Sequence, residues 1–287
     1  MKYSYYTLDV FTDRPFGGNP LAVFPHAEGM AADEMQKIAR ELNISETLFV
    51  GASIEPGVFP VRIFTPACEL PFAGHPTVGA AYLLAHLQMF EGDAAVLEEG
   101  VGRVPVTVDR ASAHASFQVA QLPEITASGL TGAEIAGLLG LGQADVKRDA
   151  FIASCGLPFQ MLELVDRDAV DRAVLDMGMW KQRFPQPEFS DLYLFAHDGA
   201  GHVYTRMFSP AFGIPEDPAT GSAAAALSGA LAPELSSEGK VELKIEQGVL
   251  MGRPSLISAE ALVYDGRVSD LRIAGTSVLM SEGRFLL

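Results

Sequence analysis

Two cysteines in 287 residues, Cys68 and Cys155, exclude a disulfide framework, and no CxxC or Cys/His ligand spacing exists to suggest zinc. The six histidines form neither HExxH nor His-x-His, so no metal motif is present and none is expected to be needed. Basic residues are scarce: 20 Lys and Arg stand against 36 Asp and Glu, a net charge of −16. That balance argues against a nucleic-acid partner, which needs clustered cations. No uninterrupted apolar run is long enough to span a bilayer. The opening MKYSYYTLDVFTDRPFGG has no apolar signal core and reads as a strand. The expected setting is therefore the reduced cytoplasm, with no membrane partner.

What is present is an internal repeat. RIFTPACELPFAGHPTVGAAYLLAHL (62–87) aligns without gaps on RMFSPAFGIPEDPATGSAAAALSGAL (206–231), with nine of 26 positions identical at an offset of 144. A weaker echo places Gly18-x-Pro20 and Gly156-x-Pro158 each before an apolar run. A period of half the chain is no solenoid. It predicts two like domains related by a pseudo-twofold, over 1–121 and 122–275. Ligand sites favour domain interfaces, so the cleft between the halves is the expected place for one.

Both halves read alike. In the first, strands at 5–11 and 21–24 precede a helix at 32–42, strands at 45–50 and 61–65, a helix near 76–88, and alternating strands from 95 to 121. The second repeats this with a helix near 167–176, another near 219–232, and strands from 240 to 287. Many short strands with few helices predict an α+β fold with antiparallel sheets. GLLGLG (137–142) lacks the strand–turn–helix context of a dinucleotide site.

The helices that follow the matched R-x-F-[TS]-P-A blocks have no polar face, so they are expected to be buried. Pro76 and Pro218 stand near their first positions. Gly74, Gly221 and Ser222 leave free N–H groups there, where a carboxylate could bind. His75 and Asp217 either cap these helices or do chemistry; their matched placement favours a shared site.

NISETLFV (43–50) carries Glu46 on the same strand face as Leu48 and Val50. Either that face is exposed, or the carboxylate is buried with its pKa raised above about 4.3, as a general acid/base requires. Glu41, Glu98 and Glu99 read as solvated. Ser222 has no nucleophile-elbow context. Cys155 reads as a packed thiol. Arg62 and Arg206, at equivalent repeat positions, read as the same loop anchor made twice. Trp180 falls in an expected loop, part of 177–190.

LDVFTDRPFGGNPLAVF, NISETLFV, R-I-F-T-P, FAGHPTVGAA, G-I-P-E-D-P-A-T-G-S-A and EQGVLMGRPS, in this order, resemble the phenazine-biosynthesis PhzF-like family of isomerases and epimerases. The resemblance implies a diaminopimelate-epimerase-like fold: two pseudo-symmetric domains, each a curled antiparallel sheet around a central buried helix. It also allows 276–287 to cross back to the first domain, and it implies a homodimer. The family's acid/base falls on Glu46 of its S-E-T motif, with His75 and Asp217 as further catalytic groups. Asn19, Ser45, Gly74, Gly221 and Ser222 form the implied substrate-binding set.

The implied reaction moves a C–H proton on a small, cyclic or acyclic carboxylate, without metal or organic cofactor, in a site closed to water. Related amino-acid epimerases use facing cysteines at the helix starts, which this chain lacks. A racemase with unlike bases and a non-catalytic metabolite binder are the alternatives.

Overall fold

The computed structural model describes residues 2–186 and 189–286, and the chain divides into two compact units. The first runs to Ala120 and takes in Arg253–Leu256 and the chain from Arg272 onward; the second comprises Gln121–Gly252 and Ile257–Leu271.

In chain order the first unit holds β1 (Lys2–Val10), β2 (Asn19–Phe24), α1 (Ala32–Leu42), β3 (Glu46–Val50), β4 (Val58–Phe64), β5 (Glu69–Leu70), α2 (Gly74–His86), β6 (Ala94–Glu99), β7 (Gly102–Asp109) and β8 (His114–Gln118). In the second lie β9 (Glu124–Ala127), α3 (Gly132–Leu138), β10 (Phe151–Ser154), β11 (Pro158–Glu163), α4 (Arg167–Arg172), α5 (Met177–Arg183), β12 (Leu192–His197), β13 (His202–Ser209), β14 (Ile214–Asp217), α6 (Gly221–Leu235) and β15 (Gly239–Gln247). The chain ends with β16 (Ser255–Tyr264) and β17 (Arg267–Leu286), each of which begins in one unit and finishes in the other.

The first unit is a closed sheet. Pairing runs β1–β2–β3–β4–β6–β7–β8, and β17 closes the ring: Thr276 pairs with His114 of β8, and Ser277 with Val10 of β1. α2 fills the middle and touches β1, β2, β3, β6, β7 and β8. Its sequence GHPTVGAAYLLAH fits that place, because no face needs water. At Gly79 a Cβ would meet Leu21 Cδ2 at 2.5 Å and Val10 Cγ2 at 2.7 Å, so the wall can approach only a glycine. α1 lies outside, with Met35, Ile38 and Ala39 buried in a cluster with Phe24 and Phe49, whose rings stack at 4.9 Å.

The second unit repeats the plan. β9–β10–β11–β12–β13–β15 form its sheet, β14 pairs with β13, and α6 packs on β9, β10, β11 and β15. Gly229 of α6 lies against Pro123, whose Cβ would be 2.4 Å from an added methyl carbon. A proline ring cannot rotate away. Gly229→Val is therefore expected to destabilise the unit by about 1–3 kcal/mol through overpacking. Urea unfolding checks this, and an unchanged midpoint would contradict it.

The sheets are mixed rather than wholly antiparallel. β2–β3 and β4–β6 are parallel in the first unit, and β11–β12 and β13–β15 in the second. Parallel neighbours need a crossover, and the helices supply it: α1 and α2 in one unit, α4 with α5 and then α6 in the other. The Gly-x-Pro echo has a local cause, since Gly18 (φ +61°) and Gly156 (φ +108°) turn the chain before β2 and β11. The expected loop at 177–190 contains α5, capped by Asp176, and Trp180 is buried with its indole N–H donating to the Ser190 carbonyl at 3.1 Å. Positions 187 and 188 of that interval, and position 287 of the expected last strand, lie outside the described residues. α4 stops at Arg172, short of the expected 176.

Candidate active site

In the first unit the sequence candidates converge on the start of α2. Glu46 is the first residue of β3 and is only 7% exposed, so the surface alternative for it is excluded. All five residues of β3 are buried, because the strand has α2 on one side and the α1 cluster on the other. His75, 3% exposed, is the second residue of α2. Its Nε2 lies 3.3 Å from Glu46 Oε2. Burial pushes the imidazole down to about 3, partly offset by a hydrogen bond to the Pro20 carbonyl. His75 is therefore neutral, with its other ring nitrogen, Nδ1, donating to Pro20 and the Nε2 lone pair facing the carboxyl. His75 is not a cap: the residue before α2 is Ala73, with no side-chain cap bond.

Pro20 is held in turn. Asp9, buried on β1, accepts the Phe16 N–H at 2.7 Å and the Arg253 guanidinium at 2.6 Å, and Arg253 also donates to the Gly17 and Gly18 carbonyls. This fixes the loop that delivers Asn19, which is fully buried, and Pro20. Ser45 is half-buried beside Glu46, and Gly74 begins α2.

Glu99 corrects the sequence reading. Expected to be solvated, it is 6% exposed, while Glu98 beside it is half-buried and Glu41 exposed. Strand alternation explains it: Ala95, Leu97 and Glu99 share the inward face of β6. Burial pushes its carboxyl up to about 8, against a smaller opposing effect of the Thr77 hydroxyl. A carboxyl neutral in the native state and ionised in the unfolded one lowers stability as pH rises from the ordinary glutamate range toward 8. Glu99→Gln should remove that slope, a difference on the order of 3 kcal/mol at pH 7. Thermal unfolding of both proteins from about pH 5 to 8 checks it, and parallel slopes would contradict it.

In the second unit Asp217 ends β14, four residues before α6, so it does not cap that helix, and Pro218 precedes the helix rather than opening it. The apolar run of α6 begins only at Gly221. Thr220 Oγ donates to Asp217 Oδ2 at 2.6 Å. Gln247 organises the rest: its Nε2 donates to the Asp217 carbonyl at 2.8 Å and lies 3.0 Å from Thr220 Oγ. Its Oε1 accepts from the Thr220 N–H at 3.2 Å and the Tyr193 hydroxyl at 3.1 Å. Burial, aided by the Asp217 charge, pushes the Tyr193 hydroxyl up, so it stays a donor. Asp191, bonded to Ser209, is pushed up to about 7 by burial, with the Asp217 charge adding to it. Gly221 and Ser222 start α6 without a side-chain cap, leaving backbone N–H donors there.

Gln247 belongs to the EQGVLMGRPS segment, which as a motif does not mark it. The signal was available: Val241, Leu243 and Ile245 alternate inward along β15, and the next inward position is an uncharged amide. Cys155 is half-buried, its thiol pushed up to about 12 by burial, which suits a packed, unreactive group.

The repeated arginines are anchors, as their equivalence suggests. Arg62 holds Glu69 of β5 through two bonds of 2.7 Å and lies over Phe64. Arg206 holds Glu216 of β14 at 2.8 and 2.9 Å and lies over Phe208. Arg206 also donates to the Val170, Asp171 and Ala173 carbonyls at the end of α4. Glu216 is thus an anchor, and it leaves Asp217 as the acidic group of the E-D-P motif.

A curled sheet wrapped on a buried helix, made twice in one chain, is the architecture of the diaminopimelate-epimerase-like isomerases and epimerases. The family model described as "Phenazine biosynthesis-like protein" matches residues 8–283. The trans-2,3-dihydro-3-hydroxyanthranilate isomerase of Pseudomonas aeruginosa is 35% identical, over 99% of this chain and 100% of its own. An uncharacterized isomerase of Mesorhizobium japonicum is 38% identical over 99% of both chains. Among solved structures, a predicted epimerase from P. aeruginosa is 31% identical with a TM-score of 0.82, covering 99% of each chain. A Bacillus anthracis protein of the same family superimposes at a TM-score of 0.88 and 24% identity, a likeness of fold. The chain belongs to the phenazine biosynthesis-like family and is an enzyme of the isomerase class. Among the described residues no helix is long and apolar enough to cross a membrane.

Proposed function

We propose that this enzyme moves a C–H proton on a small carboxylate, with Glu46 as the group that takes and returns it. The observation that carries the reading is the buried Glu46–His75 pair at 3.3 Å. A neutral imidazole whose lone pair faces a carboxyl favours a proton on that carboxyl, which makes ionised Glu46 a willing base. Once Glu46 holds the substrate's proton, Nε2 accepts a hydrogen bond from it and holds the acid oriented toward a second carbon. The proton returned there is one that Glu46 exchanges in part with solvent. Asp217, fixed by Thr220 and Gln247, is assigned to orient a substrate hydroxyl or amino group. The N–H groups of Gly221 and Ser222 are assigned to the substrate carboxylate, with Asn19, Ser45 and Gly74 completing the binding set. Donors held ready for developing negative charge would carry much of the rate. The chemistry so assigned uses side chains and backbone alone. The enzyme is proposed to work in the cytoplasm as a homodimer.

The relative named as an isomerase of trans-2,3-dihydro-3-hydroxyanthranilate supplies the first probe. Incubation with that compound and a panel of small hydroxy- and amino-carboxylates, followed by product analysis, tests the reading. A shifted double bond is expected. Inversion at a stereocentre would instead make the enzyme an epimerase, a reading favoured by the predicted epimerase among its structural relatives. Binding without conversion of any panel member would contradict both.

A further inference from the structure

Thr77, the fourth residue of α2, has its hydroxyl oxygen 2.8 Å from the Ala73 carbonyl and 2.7 Å from Glu99 Oε1. A threonine hydroxyl has one hydrogen, and a carbonyl can only accept. If that hydrogen goes to Ala73, the short contact with Glu99 needs a hydrogen from the carboxyl. The alternative, an ionised Glu99 accepting from Thr77, leaves two oxygens 2.8 Å apart with no hydrogen between them. It also leaves a charge buried to 6% exposure beside no cation that shifts it.

The other charged groups near Glu99 do not change this. Arg62 and Glu69, on β4 and β5, line the same hollow of about 520 Å³ but bind each other, and Glu98 adds only negative charge. Arg103, on the neighbouring β7, pairs with Glu55. His75 on α2 is neutral.

We infer that Glu99 is a positioning residue: a neutral carboxylic acid that donates to Thr77, locks the first turn of α2, and so holds the imidazole of His75 against Glu46. The turn it locks contains Gly74, His75 and Pro76, between the Ala73 carbonyl and the Thr77 N–H and hydroxyl that close on it. Ionisation of Glu99 would draw the hydroxyl hydrogen away from Ala73 and loosen that turn. The carboxyl pushed up to about 8 places this event just above neutral pH. The inference rests on the reading in which Glu46 and His75 carry the reaction.

Two measurements test it. In protein labelled with ¹³C at glutamate side-chain carboxyls, the resonance missing from Glu99→Gln should titrate near pH 8. A resonance titrating in the ordinary glutamate range overturns the inference, whatever the activity does. In kinetics, Glu99→Ala should lower kcat about tenfold to a hundredfold with KM nearly unchanged, the scale of a small misplacement of a reacting group. Glu99→Gln, whose amide donates to Thr77 at every pH, should restore kcat and abolish the alkaline decline of kcat/KM. A Glu99→Gln enzyme as slow as Glu99→Ala, or with an unaltered alkaline limb, overturns the inference. Glu46→Gln separates the two claims: conversion that survives it removes the proposed reaction, while the Glu99 titration stands or falls by itself.

Discussion

Glu46→Gln should lower turnover by about 10²–10⁴, the usual contribution of a positioned proton-transfer group. The substitution keeps the size and hydrogen-bonding reach of the side chain, and β3 stays packed by Leu48, Phe49 and Val50, each no more than 1% exposed. The unfolding temperature should therefore change little, and the loss should fall on kcat rather than KM. A glutamine can donate to His75 Nε2 as a protonated glutamate does, so the pair's geometry survives while its proton does not move. A large fall in stability with proportionate loss of activity would instead make Glu46 a structural residue.

Arg206→Ala should cost about 3 kcal/mol, the lower end of the penalty for breaking a buried ion pair, because the Glu216 left behind keeps 20% of its side chain exposed. Arg206 is 8% exposed, and its loss leaves Glu216 without its fork and the end of α4 without the donors to Val170, Asp171 and Ala173. Carbonyls at a helix end need such donors. The repeat supplies the control. Arg62 makes the same bidentate bond to Glu69, but the two side chains are 41% and 42% exposed. Arg62→Ala should therefore cost only about 0–1 kcal/mol. Arg206→Lys should recover little, because an ammonium cannot reproduce the planar fork. Equal losses at the two arginines, measured by denaturant unfolding, would contradict burial as the deciding factor.

Much of the architecture was legible because the repeat and the two all-apolar helices leave few alternatives. A helix with no polar face must be surrounded, and sheets that curl round α2 and α6 do this. Glu46 was legible for a related reason, as a charge set into an apolar alternating strand. The same rule, applied evenly, also points to Glu99 on β6 and Gln247 on β15. Both sit at inward positions of alternating strands. The outward positions of β15 are charged, whereas β6 turns Ala94, Val96 and Glu98 outward, so a run such as VLEEG hides its inward carboxylate. The parallel pairings, the helix at Met177–Arg183 and the burial of Trp180 depend on contacts distant in sequence, which periodicity does not carry. For Asp217 the sequence left a cap and chemistry open, because Asp-Pro before a helix often marks a cap. The structure removes the cap, since Thr220 bonds its carboxylate, Gln247 bonds its backbone carbonyl, and α6 begins only at Gly221.

The most direct test of the account is solvent deuterium entering a converted substrate, followed in D₂O with the wild-type enzyme and Glu46→Gln side by side. The account predicts label at the carbon that loses or gains the proton with the wild type, and none above background with Glu46→Gln over the same interval. Label entering at the wild-type rate in Glu46→Gln would place the base elsewhere and contradict the assignment of Glu46.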